Sequence, residues 1–180
     1  MGLIIALSLL VITILFAILA VYIFIILLKT KVPFVRTPFS VIETIVHEVH
    51  ITNHDVVYDL GCGNARVLLD IERATGARVV GYELSPWAYF LARMNVKNNK
   101  SKAEIRYQDF YKADLSEATV VFAFLIVAVM PKVGAQLEKQ LKPGTTVVCY
   151  GFSIPQWIPT KTIPTRQNDP KASKIYIYKR

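Results

Sequence analysis

Asp55-Val56-Val57-Tyr58-Asp59-Leu60 runs straight into Gly61-Cys62-Gly63-Asn64-Ala65. Six largely apolar residues followed by two glycines read as a buried parallel strand feeding a tight turn. Ala65 to Thr75 then carries Val67, Leu68, Ile71 and Ala74 on one helical face, and Gly76 stops it. Arg78 to Leu84 is a second strand. Ser85 and Pro86 open another helix as N-cap and first helical residue. Strand, glycine turn, helix and strand make one unit of a doubly wound α/β sheet.

The same alternation continues in both directions. Upstream, Ser40 and Glu43 have capping-box spacing ahead of an apolar face of Val41, Ile42, Ile45, Val46 and Val49. Asn53 and His54 mark the turn into the first strand. Downstream, Trp87, Phe90, Leu91 and Met94 fall at i, i+3, i+4 and i+7, which predicts a core-facing stripe. Ala103 to Gln108 is a third strand at an edge, with Ile105 and Tyr107 inward. Thr119 to Leu125 is a fourth strand, fully apolar. Met130, Val133, Leu137 and Leu141 mark a helix, and Lys142-Pro143-Gly144 ends it. Thr145 to Tyr150 is the fifth strand, and Lys174 to Tyr178 the last, with a partner expected near 160–165. The expectation is a single α/β domain over residues 40–180.

Ligands of an open parallel sheet bind at the carboxyl ends of its strands. Gly61 and Gly63 lie there and permit a sharp turn with close approach of backbone to ligand. Glu83 ends the second strand, 22 residues after Gly61, the distance at which an acid reaches both hydroxyls of a ribose. Asp109 ends the third strand, placed to accept from an adenine amino group, and Phe110 can cover the adenine face. Three consecutive strand ends thus define an adenosine site. A dinucleotide fingerprint wants a third glycine where Arg66 stands, so a nicotinamide cofactor is disfavoured. Asp59, two residues before the first glycine, suits a cationic amine instead. S-adenosylmethionine carries one and has no phosphate.

Asp59-x-Gly61-x-Gly63, Glu83 and Asp109 resemble, in order, spacing and strand placement, the first three motifs of the seven-stranded class I methyltransferases. Ala65 departs from the pattern, since many members have a third glycine there. The resemblance implies a Rossmann-like seven-stranded sheet, and covers about residues 40 to 180. Four further segments narrow it: Pro33-Phe34-Val35-Arg36-Thr37-Pro38, the Asp59–Arg66 turn, Gly81-Tyr82-Glu83-Leu84-Ser85-Pro86-Trp87, and Phe152-Ser153-Ile154-Pro155-Gln156-Trp157. These are similar to the small membrane-anchored protein-lysine methyltransferases of the FAM173 type. Animal members of that family act in mitochondria on lysines of membrane proteins, including the ATP synthase c-subunit and the adenine nucleotide carrier. The resemblance implies lysine methylation of a membrane or membrane-associated protein. Methylation of a lipid or quinone-like molecule, and a non-catalytic adenosylmethionine-binding adaptor, stay open beside it. No Asn/Asp-Pro-Pro-Tyr/Phe motif follows the fourth strand, so planar amide and adenine nitrogens are disfavoured acceptors.

The chain has 180 residues, with charge confined to one part of it: Gly2 to Leu28 contains no charged side chain. As a helix this run spans about 40 Å, enough to cross a bilayer core of about 30 Å with tilt. A signal peptide has a basic start, a shorter apolar core and a small-x-small site; here Ala17 and Ala20 are three apart and the start is not basic. The reading is a retained anchor at 2–28, followed by a stiff linker at 29–39 holding Pro33 and Pro38. Lys29, Lys31 and Arg36 flank the span, so the N-terminus is expected outside and the catalytic domain on the cytosolic or equivalent face. The net charge of +8 suits anionic lipid beside an anchor better than nucleic acid, and no nucleic-acid partner is expected. Two cysteines, Cys62 and Cys149, exclude a disulfide scaffold and argue against a thiolate metal site.

The remaining residues have modest readings. Trp87 is expected to be mostly core. His47, His50 and His54 lie on a polar helix face or in the turn after it, and no metal is expected. Cys62 is a small packer within the turn. No catalytic residue is assigned; Phe124, at the end of the fourth strand, and Trp157 are candidates for the wall of an acceptor channel.

Overall fold

The computed structural model describes residues 2–30, 36–166, 169 and 171–180. The chain divides into two units, Met1–Pro33 and Phe34–Arg180. The first is a single helix, α1 (Gly2–Thr30), whose stretch Ile4–Ile25 is long and apolar enough to cross a membrane. Residues 31–35 of the 29–39 linker lie outside the described residues.

The second unit opens with α2 (Phe39–Val49). Its N-cap is Pro38, not Ser40, and no side chain caps it. The carbonyl of Pro38 accepts from the amides of Val41 and Ile42. Pro38 at φ −62° and ψ 145° already turns the chain into the helix, so Ser40 falls inside the first turn and the capping box does not form. Val41, Ile42 and Ile45 are the buried face of α2, as the spacing predicts.

Seven strands follow: β1 (Val56–Leu60), β2 (Arg78–Glu83), β3 (Glu104–Tyr107), β4 (Val120–Ala123), β5 (Thr146–Tyr150), β6 (Lys161–Pro164) and β7 (Lys174–Lys179). Between them run α3 (Arg66–Thr75), α4 (Pro86–Asn98) and α5 (Met130–Gln140). They form one sheet in the order β3-β2-β1-β4-β5-β7-β6. The first five are mutually parallel, and β7 runs antiparallel to both β5 and β6. This is the class I methyltransferase sheet, with β3 at one edge as predicted. The antiparallel β7 enters because the β6–β7 pair is a hairpin, which needs no crossover helix.

Strand alternation assigns two faces. Val57, Val79, Ile105, Phe122, Val148 and Ile177 share one core cluster with α2 and α3 residues. Tyr58, Tyr82, Val121, Val147 and Tyr178 point the other way, toward the side of α5. Tyr58 and Tyr82 meet there edge-to-face at 5.7 Å.

The largest departure from expectation is on α4. Trp87, Phe90 and Met94 are not core: they are 66%, 52% and 45% exposed. Ala88 and Ala92 supply the buried face instead. Helical spacing marks one apolar face but does not say which face meets the sheet; here the small alanines let the helix backbone sit close to β2 and β3, and the large residues turn outward. Tyr107 is likewise half exposed, because it ends an edge strand, although its ring packs on Tyr89 of α4 at 5.3 Å.

Candidate cofactor site

The turn after β1 is built by positive-φ residues at alternate positions: Gly61 at 83°, Gly63 at 56° and Ala65 at 65°. The amides of Gly61 and Cys62 both donate to the Tyr82 carbonyl at 2.9 Å, which folds the turn across the end of β2. The crossing is possible because β2 carries Gly81: a Cβ there would stand 2.6 Å from Cys62 Sγ and 2.6 Å from Leu68 Cδ1. Leu125, after β4, roofs Gly61, with its Cδ2 3.3 Å from where a Cβ would lie. From α4, Asn95 Nδ2 donates to the Asn64 carbonyl at 3.0 Å. Asn95 does not stand out in the sequence, since only the crossover places it against the turn.

Glu83 closes the turn onto β2. One carboxylate oxygen accepts from the Gly63 amide at 2.9 Å and the other from the Ser85 amide at 2.7 Å. Burial raises its pKa, and the amides of Ser85, Gly63 and Leu84 oppose that rise. Each oxygen keeps a lone pair beyond its backbone bond. Ser85 is the N-cap of α4 with Pro86 in the first turn, as the sequence predicts.

Asp59 lies in register with Gly81 on one side and Phe122 on the other. The residue is 3% exposed, and among the described residues no hydrogen bond reaches its carboxyl group. Burial, with the negative charge of Glu83 as a second cause, pushes its pKa up to about 8. A buried carboxylate without a donor is costly. Asp109 is the N-cap of a 3-10 turn (Phe110–Lys112) directly after β3, and one of its oxygens accepts from the Tyr111 amide at 3.0 Å. Phe110 follows, its ring 4.4 Å from that of Tyr111 and its carbonyl bonded by Gln136 of α5. Asp59, Gly61, Gly63, Glu83, Asp109 and Phe110 therefore share the carboxyl edge of β1, β2 and β3.

Residues 59–161, more than half of the chain, match the family model of the ANTKMT methyltransferase domain. The chain belongs to that methyltransferase family. A protein-lysine N-methyltransferase of Saccharolobus islandicus is 34% identical over 150 residues, covering 82% of this chain and 92% of that protein. The mouse adenine nucleotide translocase lysine N-methyltransferase is 28% identical over 76% of this chain, which spans only 60% of the mouse protein's length. Among solved structures, an RNA methyltransferase of Salinibacter ruber in complex with S-adenosyl-L-homocysteine has 35% identity and a TM-score of 0.74, over 81% of this chain and 93% of that one.

In the methyltransferase unit the two candidate acceptor residues are not brought together. Phe124 packs on Tyr150 at 4.5 Å, at the carboxyl ends of β4 and β5 and against the core on the α2–α3 face. Trp157 packs edge-on to Tyr178 at 5.7 Å, and its indole nitrogen faces Gly134 of α5, on the opposite face of the sheet. Strand alternation sends those partners, Tyr150 and Tyr178, to different sides of the sheet. Cys62 and Cys149 are buried free thiols. Burial lifts the Cys62 thiol well above its ordinary range and Cys149 to about 12, so neither is a nucleophile at neutral pH. Among the described residues, no cluster of three His, Cys, Asp or Glu side chains is placed to hold a metal ion.

Proposed function

We propose that this methyltransferase transfers a methyl group from S-adenosylmethionine to lysine of a membrane or membrane-associated protein, and that residues 2–28 anchor it in that membrane. The observation that carries the cofactor reading is the donor-free carboxylate of Asp59 beside the oriented carboxylate of Glu83. Asp59 would hold the cofactor's ammonium group. The open lone pairs of Glu83 would take the two ribose hydroxyls, each charge-assisted bond contributing roughly 1.5–3 kcal/mol. Asp109 would accept from the adenine amine, with Phe110 against the ring. When bound, S-adenosylmethionine supplies an electrophilic methyl group on a sulfonium centre.

The protein's part in such a displacement is alignment more than acid–base chemistry. A lysine acceptor must arrive neutral, although its free pKa is about 10.4. Phe124 at the carboxyl end of β4 would form one apolar wall of the approach, and desolvation there would favour the neutral amine.

The anchor reading rests on Ile4–Ile25 and on the absence of charge from Gly2 to Leu28. With Lys29, Lys31 and Arg36 after the span, the N-terminus would lie outside and the catalytic unit on the cytosolic or equivalent face. A tethered enzyme meets membrane substrates at raised effective concentration.

The test uses purified protein, its Glu83→Ala variant, labelled S-adenosylmethionine and membranes from source cells lacking the gene. The extract is split into protein, lipid and RNA. Label on lysine of a membrane protein, lost with the variant, is the expected result. Label in the lipid or RNA fraction overturns the lysine reading, and cofactor binding without transfer to any fraction overturns the enzymatic one.

A further inference from the structure

We propose that the outer face of α4 is a second membrane contact, a peripheral docking surface for an anionic lipid bilayer. It goes beyond the anchor and rests on the membrane attachment proposed above. Trp87, Phe90 and Met94 recur at i, i+3 and i+7 and stand out from the body of the fold. The rings of Trp87 and Phe90 stack at 6.0 Å with an interplanar angle of 25°, making one continuous apolar ridge. A monomeric soluble surface seldom groups such residues without a partner.

The charge around the ridge selects lipid as that partner. At 100° per residue, Arg93 and Lys97 flank the ridge along one side of the helix, and Lys100 and Lys102 follow its end. α4 contains no Asp or Glu. Among the described residues, none of these four cations makes an ion pair; Arg93 donates only to the Tyr89 hydroxyl, at 3.2 Å. A helix with Trp and Phe on its outer face, flanking Lys and Arg, and no acid is the composition of an interfacial membrane helix. Aromatic rings of this kind settle at headgroup depth, and each nearby Lys or Arg favours an anionic leaflet by about fivefold.

The placement has a functional consequence. Trp87 lies in the first turn of α4, four residues after Glu83. Docking the ridge would hold the carboxyl edge of the sheet, with its candidate cofactor site, beside the bilayer surface. A lysine just outside the hydrocarbon would then be within reach.

The experiment uses the full chain, reconstituted by detergent removal into phosphatidylcholine vesicles with or without phosphatidylglycerol, the acyl chains brominated near the headgroup. Flotation reports membrane attachment. Bromine quenching of tryptophan emission, taken as the difference between wild type and Trp87→Phe, reports Trp87 alone. The expected result is flotation on both vesicles and strong Trp87 quenching on the anionic ones. That quenching should fall severalfold in the Arg93→Gln/Lys97→Gln variant while flotation is kept. Flotation with Trp87 unquenched on anionic vesicles overturns the docking surface and leaves the anchor standing. Failure to float overturns both. A Trp87 signal that depends on protein-to-lipid ratio and not on lipid charge assigns the ridge to a second copy of the chain, and overturns the lipid reading.

Discussion

Asp59 makes cofactor binding depend on pH in a way that few other arrangements would. Burial and the neighbouring Glu83 carboxylate raise its pKa to about 8, so at neutral pH the cofactor-free protein holds it mostly protonated. Pairing with an ammonium group requires the charged form, and that proton must leave on binding. The ionised fraction is about one half at pH 8 and about one hundredth at pH 6, so affinity should fall about 50-fold between them. Calorimetric titration with S-adenosylhomocysteine at pH 7, in buffers of different ionisation enthalpy, should show most of one proton released by wild type. Asp59→Asn should bind more weakly, with the slope below pH 8 abolished. A flat wild-type profile from pH 6 to 8, or no proton release, would refute the role given to Asp59. The same group has an opposite signature in the cofactor-free fold. Its folded pKa lies above the unfolded value of 3.8, so its contribution to stability is complete below about pH 4 and lost as pH rises through 8. Asp59→Asn should therefore raise the unfolding midpoint at pH 8, with a ceiling of about 5 kcal/mol on the strain relieved.

Three other perturbations test the site from different sides. Glu83→Gln puts an amide where both carboxylate oxygens now accept from backbone amides. It should weaken cofactor affinity about 100-fold, measurable by equilibrium binding, with the fold retained by circular dichroism. Gly81→Ala forces Cys62 and Leu68 away from β2; overpacking of this kind costs roughly 1–3 kcal/mol, and affinity should drop together with the thermal midpoint, whereas a change in neither refutes the close packing of turn on strand. Cys62 and Cys149, buried and with raised pKa values, should resist iodoacetamide at pH 8 in the native protein and react fully in guanidinium; rapid native labelling of either would contradict their burial.

Much of this arrangement was legible in the chain alone. The run Val56–Leu60 into Gly61 and Gly63 has one physical reading, a buried strand entering a left-handed turn, and the acids at 83 and 109 follow at strand-end spacing. Those are local properties, set by side-chain period and by the glycine backbone. The capping box at Ser40 failed because Pro38 begins the helix earlier, a competition between neighbouring caps that side-chain spacing does not settle. That Phe124 and Trp157 pack on rings at opposite faces of the sheet follows from the register of β5 with β7, which no local spacing reveals.

By itself the sequence determined the order of strands and helices, the apolar run at the N-terminus, and the acids and glycines of the candidate site. Only the tertiary structure decided that Asp59 is buried without a donor, that Glu83 is oriented by the turn it closes, and that α4 buries its alanines and exposes its aromatic ridge. The division has a physical cause. Periodicity and turn chemistry act between residues close in the chain. Desolvation, and the choice of which helix face meets the sheet, depend on atoms brought together from distant strands.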